Sequence, residues 1–287
     1  MQFANGVNGV LGPRSLPTVT ETISPALLTH LQSWVGRTEA LDDVITTAPL
    51  DALAATLDQA QAPTAALPPL WHWLYFLPHP LHRELGSDGH ARRGGFLPPV
   101  PLPRRMWAGG QLHWVEANPL QPGQAVTRES RICAVEAKQG RSGTMVFVKV
   151  EHRLRNKQGH ALTEYHDIVY REPPASGERA PVPTRAEEGA AWQRDWTPDE
   201  VTLFRYSALT FNGHRIHYDR PYATGAEGYP GLVVHGPLIA TLLVELLREH
   251  SPYARLASFN FRALRPTFDG HPLRVNGQPS PDGKSLR

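Results

Sequence analysis

One cysteine, Cys133, is all that the 287 residues contain. An intramolecular disulfide is impossible, a multi-cysteine metal site is excluded, and a reducing cytoplasm is the natural compartment. Charge of one sign is scarce as well. The 29 Lys and Arg face 27 Asp and Glu, a formal net charge of +2, so there is no broad basic field to hold nucleic acid. Long apolar runs are missing. The longest, residues 238–247, is interrupted by Thr241 and Glu245, and crossing a bilayer takes about 20 residues. The first 20 residues carry Gly and Pro but no apolar core, unlike a secretory signal or a membrane anchor. The remaining composition, 40% hydrophobic and 20% charged, is that of a globular protein. The length suits one large domain or two of about 150 residues.

Organisation follows from punctuation and period. Residues 1–20 read as a loose leader. Residues 24–61 read as helical: Ser24 caps a proline at the first helical position, and Leu27, Leu28, Leu31, Trp34 and Val35 recur at helical spacing. A second helix begins near Pro49. From Gly110 the period changes to two, and residues 125–136, 144–156 and 161–171 read as strands joined by turns. Residues 173–191, rich in Pro, Glu, Ala and Arg, are the best linker. They divide an N-terminal domain, 21–172, from a C-terminal one, 192–287. The latter reads as a helix (198–207), a polar loop, a long apolar helix (236–249) and strands at 254–266 and 271–278.

The chemistry concentrates in residues 206–223, YSALTFNGHRIHYDRPYA. Asn212, His214, His217 and Asp219 fall within eight positions. Phe204, Tyr206, Leu209 and Ile216 surround them with apolar side chains, which implies partial burial. A surface loop with incidental histidines is the plain alternative. Against it stands GLVVHGPL, residues 231–238, leading straight into the long apolar helix. Glycine at such a start leaves backbone N–H groups outward, at the positive end of the helix dipole, where an oxyanion can bind.

Residues 210–219, TFNGHRIHYD, resemble the hydratase motif of MaoC-type enoyl-thioester hydratases. Asn212 falls on the motif's Asp, His214 on its Asn, Arg215 on its Pro and His217 on its His. Val234-His235-Gly236 resembles the start of the family's central helix, and residues 259–266, FNFRALRP, the strand after it. The stretch 86–114, with its Gly-Gly, Pro and Trp content, is similar to a subgroup, the two-domain hydroxyacyl-thioester dehydratase type 2-like proteins, which include mesaconyl-CoA and itaconyl-CoA hydratases. The resemblance implies an α+β double hot dog, a degenerate N-terminal unit and a catalytic C-terminal one, each a helix wrapped by a curved antiparallel sheet. Few strands are countable after Glu249, so a second sheet truncated at the C-terminus, with an exposed edge, is expected.

The implied activity is a hydro-lyase, adding water across the double bond of a short branched or dicarboxylic enoyl-CoA. Coenzyme A would enter with the substrate, with no cofactor and no metal; neither nucleic acid nor membrane is a partner, and a homodimer is compatible with the pattern. Asn212 departs from the family, because an amide orients water but takes no proton. His217 becomes the base, with Asp219 and His214 the candidates for the second proton role, and Gly236 the oxyanion donor. Tyr206, Val234 and His235 join the substrate wall. Arg262, Arg265, Arg104 and Arg105 are candidate partners of the CoA phosphates, since Arg matches phosphate in bidentate form, and Arg215 or Arg205 of a substrate carboxylate.

Other readings are weaker. A non-catalytic thioester-binding protein would explain Asn212. A thioesterase would need a carboxylate on the central helix, and Glu245 is the one deep in it. A hydrolase built on Ser207 and His217 lacks the G-x-S-x-G elbow. His72, His79 and His82 lack metal-ligand spacing and read as an aromatic cluster.

Overall fold

In the computed structural model, residues 23–140, 143–172 and 189–287 are described. The leader 1–20 and most of the linker 173–191 lie outside them. Helix α1 (Pro25–Gln32) begins as its sequence dictates: the Ser24 hydroxyl accepts a hydrogen bond from the Leu27 N–H at 3.2 Å, and Pro25 needs no acceptor. Two helices form within the expected helical region 24–61, but a strand separates them. Strand β1 (Thr38–Val44) follows, and then helix α2 (Thr47–Thr56). The TEALDDV of β1 buries only every second residue in part. It has no apolar period of its own and is extended because it pairs with a neighbour, from Thr38 opposite Arg131 to Val44 opposite Ala125.

Five further strands complete one antiparallel sheet. These are β2 (Arg104–Trp114), β3 (Ala125–Gly140), β4 (Gly143–Asn156), β5 (Gly159–Arg171) and β7 (Ser258–Arg262), in the order β1-β3-β4-β5-β2-β7. The long strands have the alternating pattern the sequence predicts. Strand β7 belongs to the C-terminal half, yet it pairs with β2. Gly109 and Gly110 make that pairing possible. A Cβ on Gly109 would meet the Phe261 carbonyl oxygen at 2.6 Å, and one on Gly110 the Phe261 ring at 2.8 Å. The glycine pair is a close-approach device.

Helix α3 (Glu200–Leu209) and helix α4 (Gly236–His250) carry the C-terminal half, with β6 (Trp192–Trp196) and β8 (Leu273–Gly277) as a two-stranded ribbon beside α4. Its described strands are thus three, each of five residues, and residues 278–287 fold back as a hairpin. Asp199 caps α3 by accepting from the Thr202 N–H at 2.7 Å. Two apolar clusters form the core. The larger joins α2, α3 and α4 through Leu53, Leu203, Tyr206, Leu238 and Leu242; the smaller packs Leu31 of α1 on Ile132, Val148 and Val150. The larger cluster draws on both halves, and the site described next sits on its rim.

Candidate active site

Helix α3 ends at Leu209 and the chain reverses through Phe211, whose φ of +49° is the left-handed region that a bulky residue rarely adopts. The Asn212 N–H returns to the Ser207 carbonyl at 2.8 Å, and the Asn212 side-chain oxygen accepts from the His214 N–H at 3.0 Å. This side-chain turn holds the loop open for one 3-10 turn, Arg215–His217. Asn212 is therefore a loop-shaping residue.

His217 is 8% exposed. Its Nδ1 lies 2.6 Å from the Val233 carbonyl oxygen. A carbonyl only accepts, so Nδ1 carries the proton and Nε2 keeps its lone pair. Burial pushes its pKa down to about 4, the Val233 bond opposing and His90 adding to the effect; the ring is neutral at neutral pH. His235 lies flat against it, ring centroids 3.7 Å apart and planes 18° apart. His235 is itself anchored by Ser207, Nε2 to Oγ at 2.8 Å, with the Tyr206 ring edge-on at 5.0 Å. The buried Ser207 thus supports a ring, and Tyr206 packs behind it rather than lining an open surface.

His214 stands perpendicular to His217, at 5.4 Å, and continues the row to His90 at 4.0 Å. Burial, then His90 and His217, press the His214 pKa down to about 2. His90 was not among the residues singled out from the sequence, nor was Asp88. Both come from the stretch 86–95 of the N-terminal half. His90 Nδ1 is 3.0 Å from an Asp88 carboxylate oxygen. Burial works to raise the Asp88 pKa, but the hydrogen bond and charge of His90 outweigh it and hold the carboxyl well below its ordinary value. The Asp-Gly-His spacing inside a glycine-rich stretch was the available signal.

That stretch is clasped to the motif loop. The Arg215 N–H donates to the Asp88 carbonyl at 2.9 Å, and an Arg215 guanidinium N–H to the Ser87 carbonyl at 3.0 Å. Gly89 has φ +86°, and a Cβ there would sit 1.8 Å from the Gly213 carbonyl oxygen, so only glycine lets the two loops touch.

Asp219 and Arg215 need different roles from those expected. Asp219 takes two hydrogen bonds from Arg215, at 2.9 and 2.7 Å, and one from the Tyr222 N–H at 3.1 Å. The Arg215 bond lowers the Asp219 pKa further. Asp219 is a loop anchor, and Arg215 a clasp stacked on Tyr222 at 4.1 Å.

Residues 231–234 lead to α4. Asp269 accepts from the Leu232 N–H at 2.8 Å and from Arg220 at 2.5 Å, and the Val234 N–H donates to Thr267 at 2.8 Å. Val234 is buried in the apolar core. His235 is the N-cap of α4 and Gly236 its first residue. The Gly236 N–H makes no hydrogen bond among the described residues, and nothing lies within 4 Å of where its Cβ would be. The Gly236 N–H is thus an unpaired donor at the positive end of a 15-residue helix, one residue from the His217–His235 stack.

The arginines separate. Arg104 lies 3.4 Å from a Glu227 carboxylate oxygen and donates to the Glu227 carbonyl at 2.6 Å. Arg105 faces His90 and His214 in a cleft also lined by Arg104, Met106 and Tyr229. Arg262 ends β7 and Arg265 lies beyond the strand rather than on it; both are exposed, as is Arg205 on α3. Donor atoms of Asp88, His90 and His214 fall within 4.8 Å of one another. The Arg105 charge beside both rings opposes a cation there, and Asp88 already holds His90.

Glu245 is buried, and accepts from Trp71 Nε1 at 2.9 Å, Gln59 at 2.8 Å and Arg248 at 2.6 Å. No lone pair is left for a thioester. The three histidines 72, 79 and 82 do not cluster. His72 binds the buried Glu164 at 2.9 Å, His79 meets Phe211 edge-on, and His82 is exposed. Among the described residues no helix is long and apolar enough to cross a membrane.

Residues 70–269 match the family described as hydroxyacyl-thioester dehydratase type 2. The chain is 49% identical over 256 residues to the mesaconyl-C(4)-CoA hydratase of Chloroflexus aurantiacus, covering 87% of this chain and 89% of that protein. In fold it is similar to a MaoC-like dehydratase, with a TM-score of 0.62, 11% identity and coverage of 88% and 91%. It is similar also to a conserved Mycobacterium tuberculosis protein with a double hot-dog fold, with a TM-score of 0.52, 12% identity and coverage of 89% and 88%. The expected double hot-dog architecture is borne out by these likenesses, and the chain belongs to the hydroxyacyl-thioester dehydratase type 2 family.

Proposed function

We propose that this protein is an acyl-CoA hydratase whose substrate is a five-carbon, methyl-branched dicarboxylic enoyl thioester of the mesaconyl-CoA kind. The observation that carries it is His217: buried, neutral, its Nδ1 proton held by Val233 and its Nε2 lone pair free, one residue's reach from the open Gly236 N–H. The 49% identity with mesaconyl-C(4)-CoA hydratase supports the substrate class.

Hydration is redox-neutral and needs only proton transfer, so the reading calls on no cofactor beyond the CoA of the substrate. His217 Nε2 takes a proton from water while its oxygen bonds to the β-carbon. The π electrons move to the thioester carbonyl oxygen, which Gly236 N–H receives; one such donor stabilises a transition state by about 2.7–4 kcal/mol. The α-carbon then takes a proton as the carbonyl re-forms. Asn212 has no proton to give at neutral pH, Asp219 is held by Arg215, and His214 is pressed between two imidazoles. His90 is the one ring of the row with a carboxylate bonded to it; Asp88 favours its protonated form, while burial, the larger effect, and the Arg105 and Arg93 charges hold its pKa below the ordinary value. The Asp88–His90 pair therefore supplies the second proton role.

The direct test is hydration of mesaconyl-C4-CoA, itaconyl-CoA and crotonyl-CoA, following enoyl absorbance and free thiol separately. Loss of absorbance without thiol is expected; thiol release alone would refute the reading. The thioesterase alternative has no supporting geometry, because Glu245 is fully engaged.

A further inference from the structure

We infer that Arg105 is the specificity residue for a free carboxylate on the acyl group, an inference that rests on the hydratase reading. A dicarboxylic half-thioester brings a negative charge close to the reacting carbons, and a site that prefers it over a neutral enoyl chain needs a cation beside the proton-transfer row. Arg104 and Arg105 line the cleft, and Arg93 and Arg215 lie near it, as does Arg171, which sits opposite Arg104 on β5 and does not line it. Arg93 gives its guanidinium to the carbonyls of Val100, Leu102 and Pro103. Arg104 is paired with Glu227 and lies over the Tyr229 ring. Arg215 is held by Asp219 and Ser87. Arg105 pairs with no carboxylate among the described residues, and it faces His90 and His214 across the cleft.

Its position follows from the fold. Arg105 lies near the start of β2, opposite Tyr170 of β5, at the edge where the 86–95 stretch docks on the motif loop. The groups around it are the imidazoles of His90 and His214, the Ile216 and Met106 side chains, the Tyr170 phenol, and two carboxylates already engaged, Asp88 by His90 and Glu227 by Arg104. A guanidinium in such a setting is a bidentate receptor for a carboxylate. The same residue could instead bind a CoA phosphate; the cleft's contact with the histidine row, rather than with open surface, favours the acyl end.

The test compares two saturated thioesters of equal chain length, neither of which can be hydrated: freshly prepared succinyl-CoA with a free carboxylate and butyryl-CoA without. Equilibrium binding to the wild type and to Arg105→Met and Arg105→Lys is measured by calorimetry, with circular dichroism to verify the fold. The wild type is expected to prefer succinyl-CoA, and Arg105→Met to lose that preference by about 30-fold or more. Arg105→Lys keeps charge without the planar fork and should fall between the two. Equal weakening of both ligands would place Arg105 on the CoA moiety and overturn the inference, as would a preference that survives Arg105→Met. A wild type that hydrates crotonyl-CoA but shows no succinyl preference overturns the inference and leaves the hydratase reading intact. A wild type that binds with the expected preference but hydrates no enoyl thioester refutes the hydratase reading and leaves the carboxylate receptor standing.

Discussion

The imidazoles of His217 and His235 stack with their centroids 3.7 Å apart, and each ring has its own anchor, His217 the Val233 carbonyl and His235 the Ser207 hydroxyl. The stack ties His217 to the N-cap of α4, so the proposed base and the proposed oxyanion donor share one support. Removing the base should show this. His217→Ala is expected to lower kcat for mesaconyl-C4-CoA hydration by about 10²–10⁴-fold with a small change in KM. His235→Ala should lower kcat less while also lowering the melting temperature. Steady-state kinetics and thermal unfolding of both variants separate the roles.

Acid should inactivate and destabilise together. Buried His217 has its pKa pushed down to about 4, against about 6.5 in an unfolded chain. Between those values the unfolded chain binds the extra proton and the folded one does not. Stability attributable to this ring is intact above pH 6.5 and lost progressively down to about 4, amounting to about 3 kcal/mol. With His217 as the base, kcat/KM should fall on the acid side with a slope of one proton near pH 4. Urea unfolding at pH 7 and pH 4.5, beside a pH–rate profile, checks both halves.

Docking of the 86–95 stretch on the motif loop is required for turnover if Asp88 and His90 take part. Gly89→Ala places a methyl 1.8 Å from the Gly213 oxygen in a left-handed backbone and should cost activity about as heavily as His90→Gln, while far-UV circular dichroism stays native. Near-normal kcat in both variants would remove the pair from the mechanism.

A second buried polar cluster sits in the large sheet, where Glu164 accepts from Trp73 at 2.8 Å and binds His72 at 2.9 Å and His166 at 2.7 Å. Burial acts to raise the Glu164 pKa, but His166 and His72 outweigh it and hold the carboxyl well below its usual range. Glu164→Ala strands three donors without an acceptor and is expected to cost about 3–5 kcal/mol. The midpoint of chemical denaturation measures it. A loss under 1 kcal/mol would mean water replaces the carboxylate.

Much of the site was legible from residues 206–223 and 231–238, because the groups that act there are close in sequence. His217, His214, Asn212 and Gly236 could be picked out, and their order with the apolar helix carried the family resemblance. The reassignment of Asp219 and Arg215 was not legible: an i, i+4 acid–base pair looks the same in sequence whether it faces a substrate or closes on itself. Strand β1 was hidden for a related reason, since TEALDDV has no apolar period and is a strand only by pairing with β3.

By itself the amino-acid sequence determined the long alternating strands of the large sheet, the caps that start α1 and α3, the glycine at the head of α4 and the histidine motif, all of them set by neighbours within a few residues. Tertiary structure decided the remainder. It brought Asp88, His90 and Arg105 from about 110–130 positions away to the motif loop, and it turned four separate histidines into one row. It also committed Glu245 to Trp71 and passed β7 across to β2. Such long-range partners are selected by which surfaces pack and which buried polar groups must be satisfied once the chain is compact, and no local window of sequence contains both members of the pair.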